Sequence, residues 1–269
     1  MSSPLNKVAV VILAGGTAEG FEGSFAGRAM PSSRAMVPVA GKTMLQWELD
    51  ALRNCGLVSS IYVVGDIRAE GVHKVVEPTG DFLGNILAGV AAASADGAES
   101  VMIATSDIPL VTPDGIDDFI RRALYSGAEF CYPIVSKDDC LAMCPEMRRT
   151  YLRLREGTFS GGNMVLASVD FVLRNREVIG EAYAARKKKF KLAGMIGWGV
   201  LTRAMVAQFV YPGAINLHSL ESVVSKLLNG HVRAIISEYA EIGEDVDKPD
   251  DLAVVERLLS TRGSASRTG

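Results

Sequence analysis

The chain lacks any marked excess of charge: 28 lysines and arginines against 31 aspartates and glutamates leave a formal net charge of -3. Non-specific binding to nucleic acid needs a basic surface, so no nucleic-acid partner is expected. Long hydrophobic runs are missing too. No apolar stretch approaches the ~20 residues that cross a bilayer, so no membrane partner is expected either. Met1 to Asn6 show none of the basic-then-apolar order of a secretion signal. Cysteine is scarce: Cys55, Cys131, Cys140 and Cys144 are irregularly spaced, and no His or Cys pair follows the last two at zinc-site spacing. Reduced thiols in a cytoplasmic protein are the better reading of these positions. Internal repeats and dividing linkers are also lacking. We therefore expect a single domain over 1–259, followed by a small, polar and disordered tail at 260–269.

What is present begins with Val8-Ala9-Val10-Val11-Ile12-Leu13, a short continuous apolar run that ends in Ala14-Gly15-Gly16. Such a run reads as a strand buried on both faces of a parallel sheet. Paired glycines at its end let main-chain N–H groups approach an anion, where open α/β sheets bind their ligands. Strand-like runs follow at 60–64, 73–76 and 101–105, alternating with helical patterns at 43–53, 83–95 and from Thr112-Pro113 onward. The alternation predicts βαβ units and an α/β fold, three layers deep, around a mixed, mostly parallel sheet. The second half is less regular. It predicts strands at 129–135, 163–167 and 232–237, and helices at 169–174, 180–188, 197–208, 217–228 and 249–259, with a basic, polar stretch over 148–162.

Asp107 follows the buried strand at 101–105, so its carboxylate should emerge at the same sheet edge as Gly15 and Gly16. There it could hold Mg²⁺ beside a bound phosphate, although Asp-x-Pro also suits a plain turn. The residues alone leave both readings open. Asp245 and Asp247 alternate on an extended segment and should point to one side, where they could join Asp107. Asp250 and Asp251 fall in the first turn of the last helix and are read as dipole partners. Arg28 and Arg34 sit in the long loop after the glycines, close enough to fold over a triphosphate. The run Arg186-Lys187-Lys188-Lys189-Phe190-Lys191 is usually a solvated helix face. Gly161-Gly162-Asn163 suits either a close-approach turn or a hairpin. Two mimics fail: Gly41-Lys42-Thr43 lacks the P-loop glycine five residues earlier, where Met36 stands, and no acidic residue lies at the dinucleotide-fingerprint distance from Gly15.

Taken together, Leu13-Ala14-Gly15-Gly16, Arg34 to Leu45, Asp107-Ile108-Pro109-Leu110 and Asp245 to Leu252 resemble the MobA-like nucleotidyltransferases, which have a glycosyltransferase-A-like fold. The resemblance covers about Val8 to Leu259. It implies that a nucleoside triphosphate lies on Leu13, Ala14, Gly15 and Gly16, with Asp107 and Asp247 holding Mg²⁺. A phosphorylated small-molecule acceptor would attack the α-phosphate and release pyrophosphate. Asn85 falls where the family contacts the base, Gly162 and Asn163 fall near the acceptor pocket, and 136–230 forms the acceptor side. The chain departs from the pattern at Arg34, where the family usually carries a phosphate-contacting lysine, and in a long loop at 17–33, where Arg28 could stand in for the usual arginine. A competing reading is a non-catalytic nucleotide-binding protein on the same fold.

Overall fold

The computed structural model describes residues 7–22, 30–185 and 215–265. Its first strand, β1 (Val8–Leu13), is buried along its whole length. A tiny hairpin of β2 (Pro38–Val39) and β3 (Lys42–Thr43) leads into α1 (Met44–Arg53), whose first turn is capped by the Thr43 hydroxyl accepting from Gln46 N. Next come β4 (Val58–Val64), β5 (Lys74–Val76), α2 (Phe82–Ala95), β6 (Ser100–Thr105) and α3 (Pro113–Ser126). Thr112 caps α3 with Pro113 at its start, and Gly127 ends it in the left-handed conformation.

The irregular half is built of β7 (Phe130–Ser136), α4 (Lys137–Met143), β8 (Leu152–Leu154), β9 (Gly157–Gly161), β10 (Met164–Ser168), α5 (Val169–Arg174) and α6 (Arg176–Ala185). It closes with α7 (Leu217–Leu227), β11 (Val232–Ser237) and α8 (Pro249–Ala265). The strands form one nine-stranded mixed sheet in the order β5-β4-β1-β6-β10-β7-β9-β8, with β11 on the other edge of β7. Strands β5, β4, β1 and β6 run parallel, as do β7 and β11, while β10 is antiparallel to both β6 and β7. Alternate side chains of β1 feed two cores. Val8, Val10 and Ile12 pack with α1 and α3; Ala9, Val11 and Leu13 pack with α2 and α5. The expected three-layer α/β architecture is the one observed.

Three local expectations change. The stretch over 148–162 contains the antiparallel pair β8–β9, and the helix α4 precedes it. Gly161-Gly162-Asn163 is not a hairpin: β9 and β10 both run antiparallel to β7, and these residues carry the chain from the end of β9 into β10. The final helix continues past Leu259 to Ala265, and Arg262 Nη1 in this extension donates to the Leu110 carbonyl at 2.6 Å, tying it to the body of the protein. No helix among the described residues is long and apolar enough to cross a membrane. All four cysteines are buried free thiols.

Candidate functional site

Three main-chain contacts assemble the C-terminal rim of the sheet. Ala14 N donates to Val64 O, anchoring the end of β1 against its neighbour. After the long loop the chain returns to the glycine turn, where Arg34 N donates to Gly16 O at 2.9 Å and Ser33 Oγ donates to Ala14 O at 2.7 Å. Val246 N donates to Asp107 O at 2.9 Å, which brings the segment before α8 onto the end of β6. A cleft of ≈ 480 Å³ opens above this rim, lined by Leu13, Ala14, Gly15, Gly16, Arg34, Asn85 and Asp107 among others.

The carboxylates of Asp107, Asp245 and Asp247 each offer an oxygen within 4.8 Å of the others. Residue alternation on the extended 245–247 segment therefore does put both aspartates beside Asp107. Arg34 Nη1 bridges two of them, donating to Asp107 Oδ2 and Asp247 Oδ1, each at 3.1 Å. Asp107 Oδ1 and Arg34 Nε are both buried without a hydrogen-bond partner among the described residues. Burial pushes the Asp245 carboxyl up to about 6, opposed by the guanidinium of Arg149 and reinforced by its acidic neighbours.

Other predicted positions divide. Asn85 Oδ1 accepts from Thr79 N at 2.8 Å, and a Cβ on Gly15 would stand only 2.9 Å from Asn85 Nδ2. The glycine thus lets the Asn85 amide nitrogen close over the turn. Gly162 is buried, and a Cβ there would meet Pro133 and Ile242 at 2.8 and 2.9 Å. Packing by itself favours a glycine here. Asn163 does approach the acidic cluster, its Nδ2 donating to Asp245 Oδ1 at 3.3 Å. Arg28, the basic run at 186–191 and the helix at 197–208 lie outside the described residues. The P-loop mimic is excluded by geometry. Ala40 and Gly41 form the hairpin turn with positive φ, and Lys42 Nζ pairs with Asp50 at 2.7 Å.

Sequence reasoning missed four participants. Phe82 and Tyr183 both line the cleft, their rings stacked 4.2 Å apart and 9° from parallel; the first could be noticed beside the Pro78-Thr79-Gly80 turn, the second had no signal. Glu48 occupies the buried face of α1 with both carboxylate oxygens unpartnered. Burial, and then the charge of Asp107, raise its carboxyl well above the ordinary range. An acidic residue among Leu45, Leu49 and Leu52 was the visible anomaly. The fourth, Arg149, gave no sign at all.

The MobA-like NTP transferase domain family matches residues 10–188. A hypothetical transferase from Thermus thermophilus is 31% identical over 91% of this chain and 99% of its own, with a TM-score of 0.78. A CMP:2-keto-3-deoxy-manno-octonic acid synthetase complexed with CTP superposes with a TM-score of 0.61 at 13% identity, covering 96% of this chain and all of that one. The 2-C-methyl-D-erythritol 4-phosphate cytidylyltransferase of Thermus thermophilus does so with a TM-score of 0.53 at 15% identity, covering 94% of this chain and 98% of its own. At such identities these last two share the fold. No curated protein sequence matches the chain. The long family match and the acidic rim beside the glycine turn lead to one identification: this chain belongs to the MobA-like NTP transferase family and is a nucleotidyltransferase.

Proposed function

We propose that the enzyme transfers an NMP group from a nucleoside triphosphate to a phosphorylated small-molecule acceptor, with Mg²⁺ and release of pyrophosphate. The convergence of Asp107, Asp245 and Asp247 beside the Gly15-Gly16 turn carries this reading. Three carboxylates form an all-oxygen donor set suited to a hard divalent cation, and the unpartnered, buried Asp107 Oδ1 offers a free acceptor to a positive ligand. Bound there, Mg²⁺ would offset the phosphate charge and orient the triphosphate.

The protein's own groups supply the rest. The turn over Leu13 to Gly16 receives the phosphates through the N–H groups of Gly15 and Gly16, since Ala14 N is already given to Val64 O, and the Asn85 amide presents its donors to the base. Arg34 Nη1 is shared between two carboxylates and only half buried, so a triphosphate can recruit the guanidinium. An acceptor phosphate oxygen then forms a bond to the α-phosphorus while the bond to the bridging oxygen breaks, and pyrophosphate leaves with that electron pair. With a second pKa near ~6 the acceptor is already anionic, so no general base is required. Positioning and charge neutralisation carry the rate.

Pyrophosphate release, assayed with each ribonucleoside triphosphate and a panel of sugar and polyol phosphates, tests this directly. Asp107→Ala should fold normally and lose at least ~10²-fold in turnover, the scale of losing one electrostatic stabiliser. Full activity in that variant would remove Asp107 from the reaction.

A further inference from the structure

Arg149 stands in the irregular segment between α4 and β8, far in sequence from every motif of the site. Its side chain is only 9% exposed, and all three of its nitrogens are used. Nε and Nη2 donate to Glu244 Oε2 at 3.0 and 2.8 Å, Nη2 also donates to the Asp245 carbonyl at 2.9 Å, and Nη1 pairs with Asp245 Oδ1. The fork therefore grips the backbone and the carboxylate of the same residue. Asn163 Nδ2 converges on the same oxygen, Oδ1. Two donors on one carboxylate oxygen fix the plane of the group and so fix where the other oxygen lies.

Glu244 explains why a cation can be held next to a permanent guanidinium. Its side chain is fully buried and takes two of the fork's bonds, matching the charge of Arg149. What reaches Asp245 is then direction together with a guanidinium charge that Glu244 partly offsets. Cys140 and Cys144 enclose the pair, and burial foremost pushes their thiols up to about 11 and about 12, so they stay neutral. Two charges withdrawn from water this far are costly unless geometry is good; here every nitrogen of the fork is bonded, while Glu244 Oε1 has no hydrogen-bond partner among the described residues. A surface-quality ion pair would not persist there.

We propose that Arg149, backed by Glu244, is a positioning residue that presents Asp245 to the catalytic cation. The inference rests on reading the acidic triad as a cation site. It assigns the acceptor-side half of the sheet a task in metal binding, through a residue that itself touches neither cation nor nucleotide.

Mn²⁺ titrated into the full-length protein and followed by calorimetry or by electron paramagnetic resonance provides the test. Arg149→Met should weaken Mn²⁺ binding by ~10–100-fold, the range for lost support of a metal ligand. The same variant should keep the wild-type thermal shift given by nucleotide in the presence of EDTA, which a general disruption would abolish. Arg149→Lys keeps the charge without the fork and should recover only part of the affinity; should the Met variant fail to fold, this variant decides alone. Wild-type Mn²⁺ affinity in a folded Lys variant, or in a folded Met variant, overturns the inference while leaving the cation site standing. Wild-type protein that takes up no Mn²⁺ overturns the cation reading itself, and this proposal falls with it.

Discussion

The acidic cluster meets an arginine on each side, and the two are held in opposite ways. On the nucleotide side Arg34 is 27% exposed, uses one nitrogen to bridge Asp107 and Asp247, and leaves Nε without a partner. On the acceptor side Arg149 is buried and bonded through every nitrogen. In the proposed reaction, a counter-charge to be exchanged for a ligand is bound lightly at the rim. A counter-charge that defines geometry is bound at many points and shut away from water. Which carboxylate belongs to which arginine follows from chain path: Asp107 and Asp247 meet the arginine of the loop after the glycines, while Asp245 meets the one that precedes β8.

The sharpest way to break the contrast is to remove the exchangeable partner. Arg34→Ala should lower turnover by ~10²–10³-fold, as losing one transition-state charge contact does, and should raise the KM for triphosphate. Mn²⁺ affinity measured without nucleotide should stay level or improve, since a competing cation has gone. Weakened Mn²⁺ binding in that variant would mean that both arginines position the triad.

The contrast also shows what one chain of letters can disclose. The nucleotide side was legible: β1 is a pure apolar run, Thr112 is a capping residue placed ahead of Pro113 and a periodic helix, and Asp245-Val246-Asp247 alternates as an extended segment must. Each is a local rule acting over a few residues. The acceptor side depends on pairings between distant segments. Arg149 meets Glu244 across 95 positions, and nothing in its neighbourhood announces that partner. Gly162 looked like a ligand turn because glycine also marks tight packing, here against Pro133 and Ile242. The α4 helix did carry a signal, since Ser136 followed three residues later by Asp139 makes a capped start, and the Ser136 hydroxyl accepts from Asp139 N. Its brevity concealed it.

A smaller effect sharpens the comparison through acidity. Asp245 is held at about 6 by burial against the pull of Arg149. Below that pH a proton competes with the cation, so Mn²⁺ affinity should fall by up to about tenfold per pH unit. Arg149 favours the charged form; its removal should move the onset of this loss to higher pH. Arg34→Ala should leave the onset in place. Titrations between pH 5 and 8 would read both, and an onset shifted equally by the two variants would erase the distinction.

The smallest expected effect concerns Glu48, buried behind the rim with neither oxygen satisfied. The unfolded chain releases this proton near 4.5, whereas the native protein keeps it to much higher pH. Stability contributed by the neutral group is complete below that point and declines as pH rises toward the native value. Glu48→Leu should therefore raise the midpoint of thermal unfolding, by roughly 2–4 °C per kcal/mol gained, with a larger gain at pH 8 than at pH 5. An equal gain at both would show that the carboxyl is not protonated in the native state.

The hydrogen bond from Val246 to the Asp107 carbonyl has a consequence for biosynthesis. The two aspartates Asp245 and Asp247 follow β6 at long sequence distance and can dock only after β6 has long left the ribosome. Until those residues emerge, the nascent polypeptide holds one aspartate of three. A protein truncated just ahead of them could keep its sheet and its glycine turn, yet it would lack two of the three carboxylates of the cluster.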